Sequence, residues 1–183
     1  MKYSELIARS KQEIAANKKK AEQLANLGQQ QFSWQPAKGK WSIAQCLEHL
    51  NIVARHYLKN MNYENALKAT EDKEFKPGFF GNFLAKNFAV IPPKRRFKTT
   101  KSFSPENNMN GQEVLKDFLS NQDKMMQLVD KASGFDLNKN KVPSPATKLI
   151  RFRFGDVLNM DGKHTARHLY QIENVMKAAG FPG

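Results

Sequence analysis

The sequence predicts an all-α protein, a four-helix bundle with a long crossover connection between helices two and three. Three observations indicate this fold class. Four long segments carry apolar residues at helical spacing, strand-like alternation is confined to one short stretch, and one connection is about 40 residues long. Because short links would give simple up-and-down order, the long link predicts that helices two and three are parallel neighbours.

The first predicted helix runs from about Ser4 to Leu27. Its apolar residues recur near helical spacing, and Gly28 follows as a natural C-terminal breaker. The stretch from Phe32 to Lys40 contains a proline and a glycine, so we expect it to form a loop.

The second predicted helix begins at a capping box, because Ser42 is followed three residues later by Gln45. Its apolar positions follow the i, i+3, i+4 rule through about Ala69. This helix contains His49 and the single cysteine, Cys46, for which a buried, inert thiol is the favoured interpretation.

The connection from about Thr70 to Gly111 is rich in proline, glycine and aromatic residues, and a short helix is expected around Phe79 to Phe88. An apolar stripe then predicts the third helix from about Gly111 to Lys131. The segment from Ile150 to Phe154 alternates strictly, which fits either a short extended piece or the end of a helical turn.

The fourth predicted helix begins near Asp156, which follows a glycine and can cap the helix. Its apolar spacing continues to Ala179, and Gly180 and Pro182 end it.

Length and composition indicate one domain, 1–183. A chain of 183 residues can bury a core without disulfides, and 40% hydrophobic with 26% charged residues is typical of soluble proteins. The N-terminus has charges where a signal peptide needs an apolar run, and no segment approaches membrane-spanning length. We therefore expect a cytoplasmic protein with no membrane partner, and general frequencies favour a homodimer.

The formal net charge of +13 would attract anions. The densest basic block, segment 94–101, has no acidic residue and contains Phe97 as a candidate stacking residue. A solvated loop is the favoured interpretation of this block, and a nucleic-acid-binding function is the weaker alternative. Its basic residues are Lys94, Arg95, Arg96, Lys98 and Lys101.

Three histidines form the most informative pattern. His164 and His168 are four residues apart, so a helix places both imidazoles on one face, one turn apart. His49 on the second helix could supply a third ligand to the same ion. His56 is seven residues further along that helix, about 10.5 Å along the axis, and is excluded from the site.

Four further residues lie close to these histidines in sequence. Gln45 and Gln171 could orient imidazoles through the second ring nitrogen, although Gln45 also has a role in the helix cap and Gln171 could be solvated. Asp161 shares the face of His164 and could be a ligand, a proton acceptor or an outer partner, with solvation at the helix surface or a salt bridge the favoured alternative. Arg167 could contact an anionic substrate or face solvent.

Three sequence segments are distinctive when taken together. They are Trp41-Ser42 opening a helix that contains Glu48-His49-Leu50, the run His164-Thr-Ala-Arg-His168-Leu-Tyr-Gln171-Ile, and the closing Ala179-Gly-Phe-Pro182. This set resembles the DinB-like superfamily of four-helix bundles. The resemblance implies that His49, His164 and His168 bind a metal ion. Characterised relatives include S-transferases that use mycothiol or bacillithiol, an isomerase and proteins assigned as hydrolases.

Three neutral imidazoles would leave a coordination position open for water or substrate, as in catalytic metal sites. We expect a divalent metal ion, zinc or nickel first, although imidazole also suits iron and copper. The predicted function is a metal-dependent enzyme acting on a small-molecule substrate, either a hydrolase or an S-transferase that uses a low-molecular-weight thiol. A non-catalytic metal-binding bundle is the alternative, and the sequence identifies no catalytic base.

Overall fold

The computed structural model describes residues 1–95, 97, 103–147 and 149–183. Six helices and a two-stranded antiparallel sheet form its regular structure. In chain order they are α1 (Tyr3–Glu22), α2 (Gln29–Ser33), α3 (Ile43–Asn60), α4 (Phe79–Phe88), α5 (Gly111–Lys131), β1 (Lys141–Pro143), β2 (Arg151–Arg153) and α6 (Phe154–Met176).

Helices α3 and α5 are parallel neighbours, as the long connection predicts. The side-chain amide of Asn51 donates to the carbonyl of Val114 at 3.1 Å, and further along both segments the hydroxyl of Tyr63 donates to the carbonyl of Leu128 at 3.0 Å. Because both partners advance in the same direction along the chain, the two helices have the same orientation.

Helices α1 and α6 form the second parallel pair. Arg9 donates to Asn159 at 2.6 Å, and Lys20 lies 2.5 Å from Glu173 near the other end. The two pairs run in opposite directions, because the ion pairs between α1 and α5 are reversed in order. These ion pairs are Lys11 with Asp130 and Lys18 with Asp123.

The long connection places α4 against α6. Asp156 accepts from the backbone N–H groups of Gly78 and Arg153, each at 2.9 Å. Gly81 permits a close approach, since a Cβ at this position would lie 2.3 Å from the Asp156 Cγ. Asp156 therefore caps α6 from inside its first turn; the helix begins two residues earlier than predicted, at Phe154.

The sequence-based prediction places the end of the second helix too far along the chain. Helix α3 ends at Asn60, not near Ala69, although the apolar spacing continues. The chain beyond it is held by tertiary bonds, because the Asn140 side chain both accepts from the N–H of Leu67 and donates to its carbonyl, each at 2.8 Å. Residue Lys68 then forms an isolated bridge with Phe135.

Three further features differ from the prediction. Helix α2 occupies the start of the predicted loop, and β1 is an unpredicted strand of three residues. The alternating segment near residue 150 is extended, since β2 pairs with β1 in a register that aligns Val142 with Phe152. Helix α6 ends at Met176, three residues before Ala179.

The bundle core consists of two apolar clusters separated by polar residues. Along each long helix, buried polar side chains lie between the residues of one cluster and those of the other. We call this set the polar layer. It contains Asn17, Asn51, Asn121, Gln122, Asp161 and Thr165. His49 and His164 are adjacent to it in sequence, so the candidate site lies at the level where the apolar packing is interrupted.

Candidate metal centre

Three histidines from two helices meet at one point. The Nε2 atom of His164 lies 3.4 Å from that of His49 and 3.2 Å from that of His168. One ligand nitrogen from each residue lies within 4.8 Å of the others. Helix α3 contributes His49 and α6 contributes the other two, so the antiparallel packing of these helices creates the cluster.

The ring of His49 is oriented by a backbone carbonyl. Its Nδ1 donates to the carbonyl oxygen of Phe103 at 3.0 Å. A carbonyl oxygen can only accept, so the proton of the neutral ring is on Nδ1 and the lone pair of Nε2 faces the cluster. The Trp41 ring packs against the same imidazole, with 5.1 Å between ring centroids.

The ring of His168 has a similar partner. Its Nδ1 lies 3.2 Å from the side-chain oxygen of Gln171, one turn further along α6. This bond is one of the two roles that the sequence suggested for Gln171. Since the amide oxygen accepts, the neutral ring again presents an unprotonated Nε2 to the cluster.

Burial favours the neutral form of all three imidazoles. Desolvation lowers the pKa of His49. It lowers the pKa of His168 to about 3, and it lowers that of His164 well below its ordinary value, with the charges of the other two rings and Arg167 adding to the effect. Neutral imidazole is the form that binds a metal ion, so the cluster is ready for a cation without first losing protons.

The histidines line a cavity of about 920 Å³. This volume is at the upper end of the range for small-molecule sites. Much of the wall is aromatic and apolar, while the polar groups are concentrated on α6. The apolar lining includes Trp41, Leu84, Phe88, Phe97, Phe103, Phe152 and Met160.

A family model described as the DinB superfamily matches residues 14–172. This range contains all three histidines and most of the bundle. The chain belongs to the DinB superfamily. The comparison with curated proteins gives no match.

The fold is also similar to that of a solved structure. YfiT from Bacillus subtilis matches with a TM-score of 0.54 at 14% sequence identity, over 98% of this chain and 89% of that chain. It is described as a probable metal-dependent hydrolase with an unusual four-helix bundle topology. At this identity the likeness shows the fold alone, and it confirms the predicted all-α, DinB-like bundle.

Asp161 lies in the polar layer and also lines the cavity. The favoured expectation of a solvated carboxylate is wrong, because only 6% of the residue is exposed. One carboxylate oxygen has no hydrogen-bond partner among the described residues. Burial, followed by the charge of Glu13, raises the pKa of Asp161 to about 7.

Arg167 lies at the cavity wall and joins α6 to the crossover connection. Its guanidinium donates to the carbonyls of Asn87, at 3.2 Å, and Arg95, and lies 5.5 Å from the ring centre of Phe97. The Arg167 side chain is therefore not simply solvated, and its contact with an anionic substrate stays a prediction. The main observed role of Arg167 is to hold α4 and the segment after it against the cavity.

Other candidates from the sequence lie outside the cluster. Gln45 serves the cap of α3, where its side-chain oxygen accepts from the N–H of Ser42 at 3.0 Å, so the alternative role in the cap is the observed one. His56 bonds the carbonyl of Pro143 at 2.9 Å. Cys46 is fully buried, and burial raises the pKa of its thiol.

The carbonyl of Phe103 is the functional group that sequence reasoning missed. Every residue has a backbone carbonyl, so no side-chain pattern distinguishes this one. Of the basic segment 94–101, residues Lys94, Arg95 and Phe97 are exposed, whereas Arg96, Lys98 and Lys101 are outside the described residues. Among the described helices, none combines the length and apolar character needed to cross a membrane.

Proposed function

We propose that this protein is a metal-dependent enzyme that activates water or a low-molecular-weight thiol for attack on a small molecule. One observation carries the proposal. Three desolvated, neutral imidazoles, one buried and two half-buried, direct their Nε2 atoms to one point at the wall of a cavity large enough for a substrate. Three-histidine sites that keep an open position are typical of catalytic rather than structural metal centres.

The donor set fits a divalent cation. Nitrogen-only coordination suits zinc or nickel, which are our first proposals, and also iron or copper. When bound, such an ion supplies Lewis acidity and lowers the pKa of a water or thiol ligand. The Asp161 oxygen that has no partner in the described part of the chain is a further acceptor, three residues before His164 on α6.

The chain's own residues have distinct roles in this proposal. The carbonyl of Phe103 and the amide of Gln171 hold two imidazoles with the lone pairs of Nε2 facing inward. Trp41 and Phe88 pack against the rings and keep water from approaching them on that side. The apolar lining binds the uncharged part of the substrate, which brings its reacting group to the open position.

Two reactions fit this site. Hydrolysis is supported by the description of YfiT, whose fold is similar. Thiol transfer is supported by the resemblance of the two histidine motifs to those of the superfamily, whose characterised members include S-transferases. Both reactions need a nucleophile activated at the same centre. They differ in whether the cavity admits water or a low-molecular-weight thiol to that position.

The test measures turnover of a panel of esters, amides and alkylating electrophiles, with and without low-molecular-weight thiols. We expect turnover to be lost after chelation, to return with added zinc or nickel, and to be abolished in His164→Ala. His56→Ala is the matched control and should keep activity. Turnover that survives both chelation and His164→Ala contradicts the proposal, and metal binding without turnover of either substrate class would leave a non-catalytic bundle.

A further inference from the structure

The positive charge of the chain is concentrated in two acid-free segments, 75–105 and 137–155. Together they contain 12 of the 30 Lys and Arg residues and none of the 17 Asp and Glu residues. The rest of the chain contains 18 basic and 17 acidic residues, which nearly cancel. Almost all of the net charge of +13 therefore belongs to these two segments.

The described basic side chains of these segments are available to a partner. Seven of them are exposed, and none of the seven forms an ion pair within the described part of the chain. The seven are Lys76, Lys86, Lys94, Arg95, Lys139, Lys141 and Arg151. Elsewhere, three exposed or half-buried lysines on α1 form ion pairs with carboxylates of α5 and α6.

The same two segments expose apolar side chains. They contain six of the nine large hydrophobic residues that are exposed in the described part of the chain. Phe79 and Leu149 are 81% and 94% exposed. The six are Phe79, Phe80, Phe83, Ile91, Phe97 and Leu149.

The two segments are in contact where β2 and the start of α6 meet the residues before α4. The Arg153 guanidinium donates to the carbonyl of Lys76, which joins β2 to the residues before α4. Asp156, at the start of α6, binds the N–H of Gly78 on one side and that of Arg153 on the other. We call the seven exposed cations and the six exposed apolar residues named above the basic aromatic surface.

We propose that the basic aromatic surface docks the protein peripherally on an anionic lipid bilayer. Exposed aromatic and leucine side chains on a helix and a loop tip can enter the region between head groups and acyl chains, while lysine and arginine contact anionic head groups. Each basic residue near such a surface contributes about a fivefold gain in partitioning, and seven exposed cations give a large combined attraction.

The apolar groups favour a bilayer over a nucleic acid. Phe79, Phe80 and Phe83 are exposed on the outer side of α4, and Leu149 has no ring that could stack on a base. A nucleic-acid complex needs cations along a groove with rings that stack on bases, and would leave these apolar groups in water. The sequence-based expectation of no membrane partner came from the absence of a spanning segment, which peripheral docking does not need.

The test is cosedimentation of the full-length protein with vesicles of phosphatidylcholine alone and of phosphatidylcholine mixed with phosphatidylglycerol. We expect binding to the anionic vesicles only, weakening as salt is raised. Lys86→Gln with Lys94→Gln should lower partitioning about fivefold per lysine. Phe79→Ser with Phe80→Ser should lower it about tenfold or more.

Matched controls lie elsewhere on the protein. Lys116→Gln with Lys124→Gln changes the net charge equally on α5, and Leu67→Ser removes an exposed apolar group outside the basic aromatic surface. Both controls should bind anionic vesicles within about twofold of the unchanged protein, because distant charges are screened. Metal content and thermal unfolding, measured on every variant, show that the fold and the histidine cluster are intact.

Three results would overturn the proposal. They are absence of binding to anionic vesicles at low salt, equal losses in the variants and their controls, and binding to single-stranded or duplex oligonucleotides that exceeds vesicle binding and depends on Lys86 and Lys94 but not on Phe79 and Phe80. None of them bears on whether the histidine cluster binds a metal ion.

Discussion

At the scale of single residues, the outer partners of the histidines determine which ring nitrogen is available. One partner, Gln171, could be predicted because it lies one helical turn from His168. The other, the carbonyl of Phe103, could not, because it depends on where the crossover connection passes α3. Sequence spacing therefore finds partners on the same helix and misses those brought in by tertiary structure.

Replacing Gln171 tests this orienting role. Gln171→Leu keeps the size of the side chain but removes the acceptor for His168 Nδ1, so the ring is free to turn and to change tautomer. We expect zinc affinity, measured by competition with a chromophoric chelator, to fall about 10–100-fold. Gln127→Leu on the exposed side of α5 should leave it unchanged, and equal affinities for the two variants would contradict the role.

The buried carboxyl of Asp161 makes stability depend on pH. Its pKa is about 7 in the folded chain, against an ordinary value of 3.8. Between these values the folded state holds more protons than the unfolded state, so the free energy of unfolding decreases as pH rises through this window. This contribution is opposite in sign to that of the buried histidines, which destabilise the fold as pH falls below about 6.5.

Asp161→Asn should remove this decrease. We expect metal-free Asp161→Asn to be more stable than the unchanged protein at about pH 8, by up to a few kcal/mol, with a smaller difference at about pH 5. Urea unfolding of both proteins at the two pH values measures the change. An equal difference in the free energy of unfolding at both pH values would show that Asp161 does not titrate in this window. Asp117→Asn, at an exposed position, is the control.

At the scale of elements, the parallel packing of α3 and α5 depends on a buried amide pair. Asn51 donates to Val114 and accepts from the Asn121 side chain at 3.0 Å. Both amides lie in the polar layer, where loss of a partner leaves a buried polar group unsatisfied. The pair fixes which residues of the two helices lie opposite each other.

A double-mutant cycle tests this pairing. Asn51→Ala and Asn121→Ala should each lower the free energy of unfolding by about 1–3 kcal/mol, and the double variant should lose less than the sum. Chemical denaturation of the four proteins gives the coupling energy. Strictly additive losses would mean that the two amides do not interact in solution.

Element boundaries show where local sequence is sufficient. The capping box of Ser42 and Gln45 predicted the start of α3, and the apolar stripe predicted α5 from Gly111 to Lys131. The predicted end of α3 was wrong because the apolar residues beyond Asn60 pack in the fold without being helical. Strand β1 was missed because three residues are too few to show a period, and its pairing with β2 is a tertiary contact.

At the scale of the whole molecule, the candidate centre connects two helices that are distant in sequence. His49 on α3 and His164 on α6 are 115 residues apart in the sequence. The sequence could predict that these histidines share a site only through their motifs and the bundle topology. A metal ion bound there would join the two parallel helix pairs.

Metal binding should therefore stabilise the entire bundle. At a free zinc concentration about 100 times the dissociation constant, we expect about 2.7 kcal/mol of added stability, seen as a higher melting temperature. In His164→Ala this increase should be largely absent, whereas His56→Ala should retain it. A melting temperature that does not respond to zinc or nickel in the unchanged protein would argue against a folded-state site.

X-ray absorption spectroscopy of the purified protein reports the atoms that surround a bound metal, so it tests the three-histidine centre itself. With zinc, we expect one ion per chain with three imidazole nitrogens at about 2.0–2.1 Å and a further light-atom ligand. His49→Ala, His164→Ala and His168→Ala should each abolish this imidazole signature. Sulfur ligation, or an unchanged spectrum in these variants, would contradict the three-histidine centre.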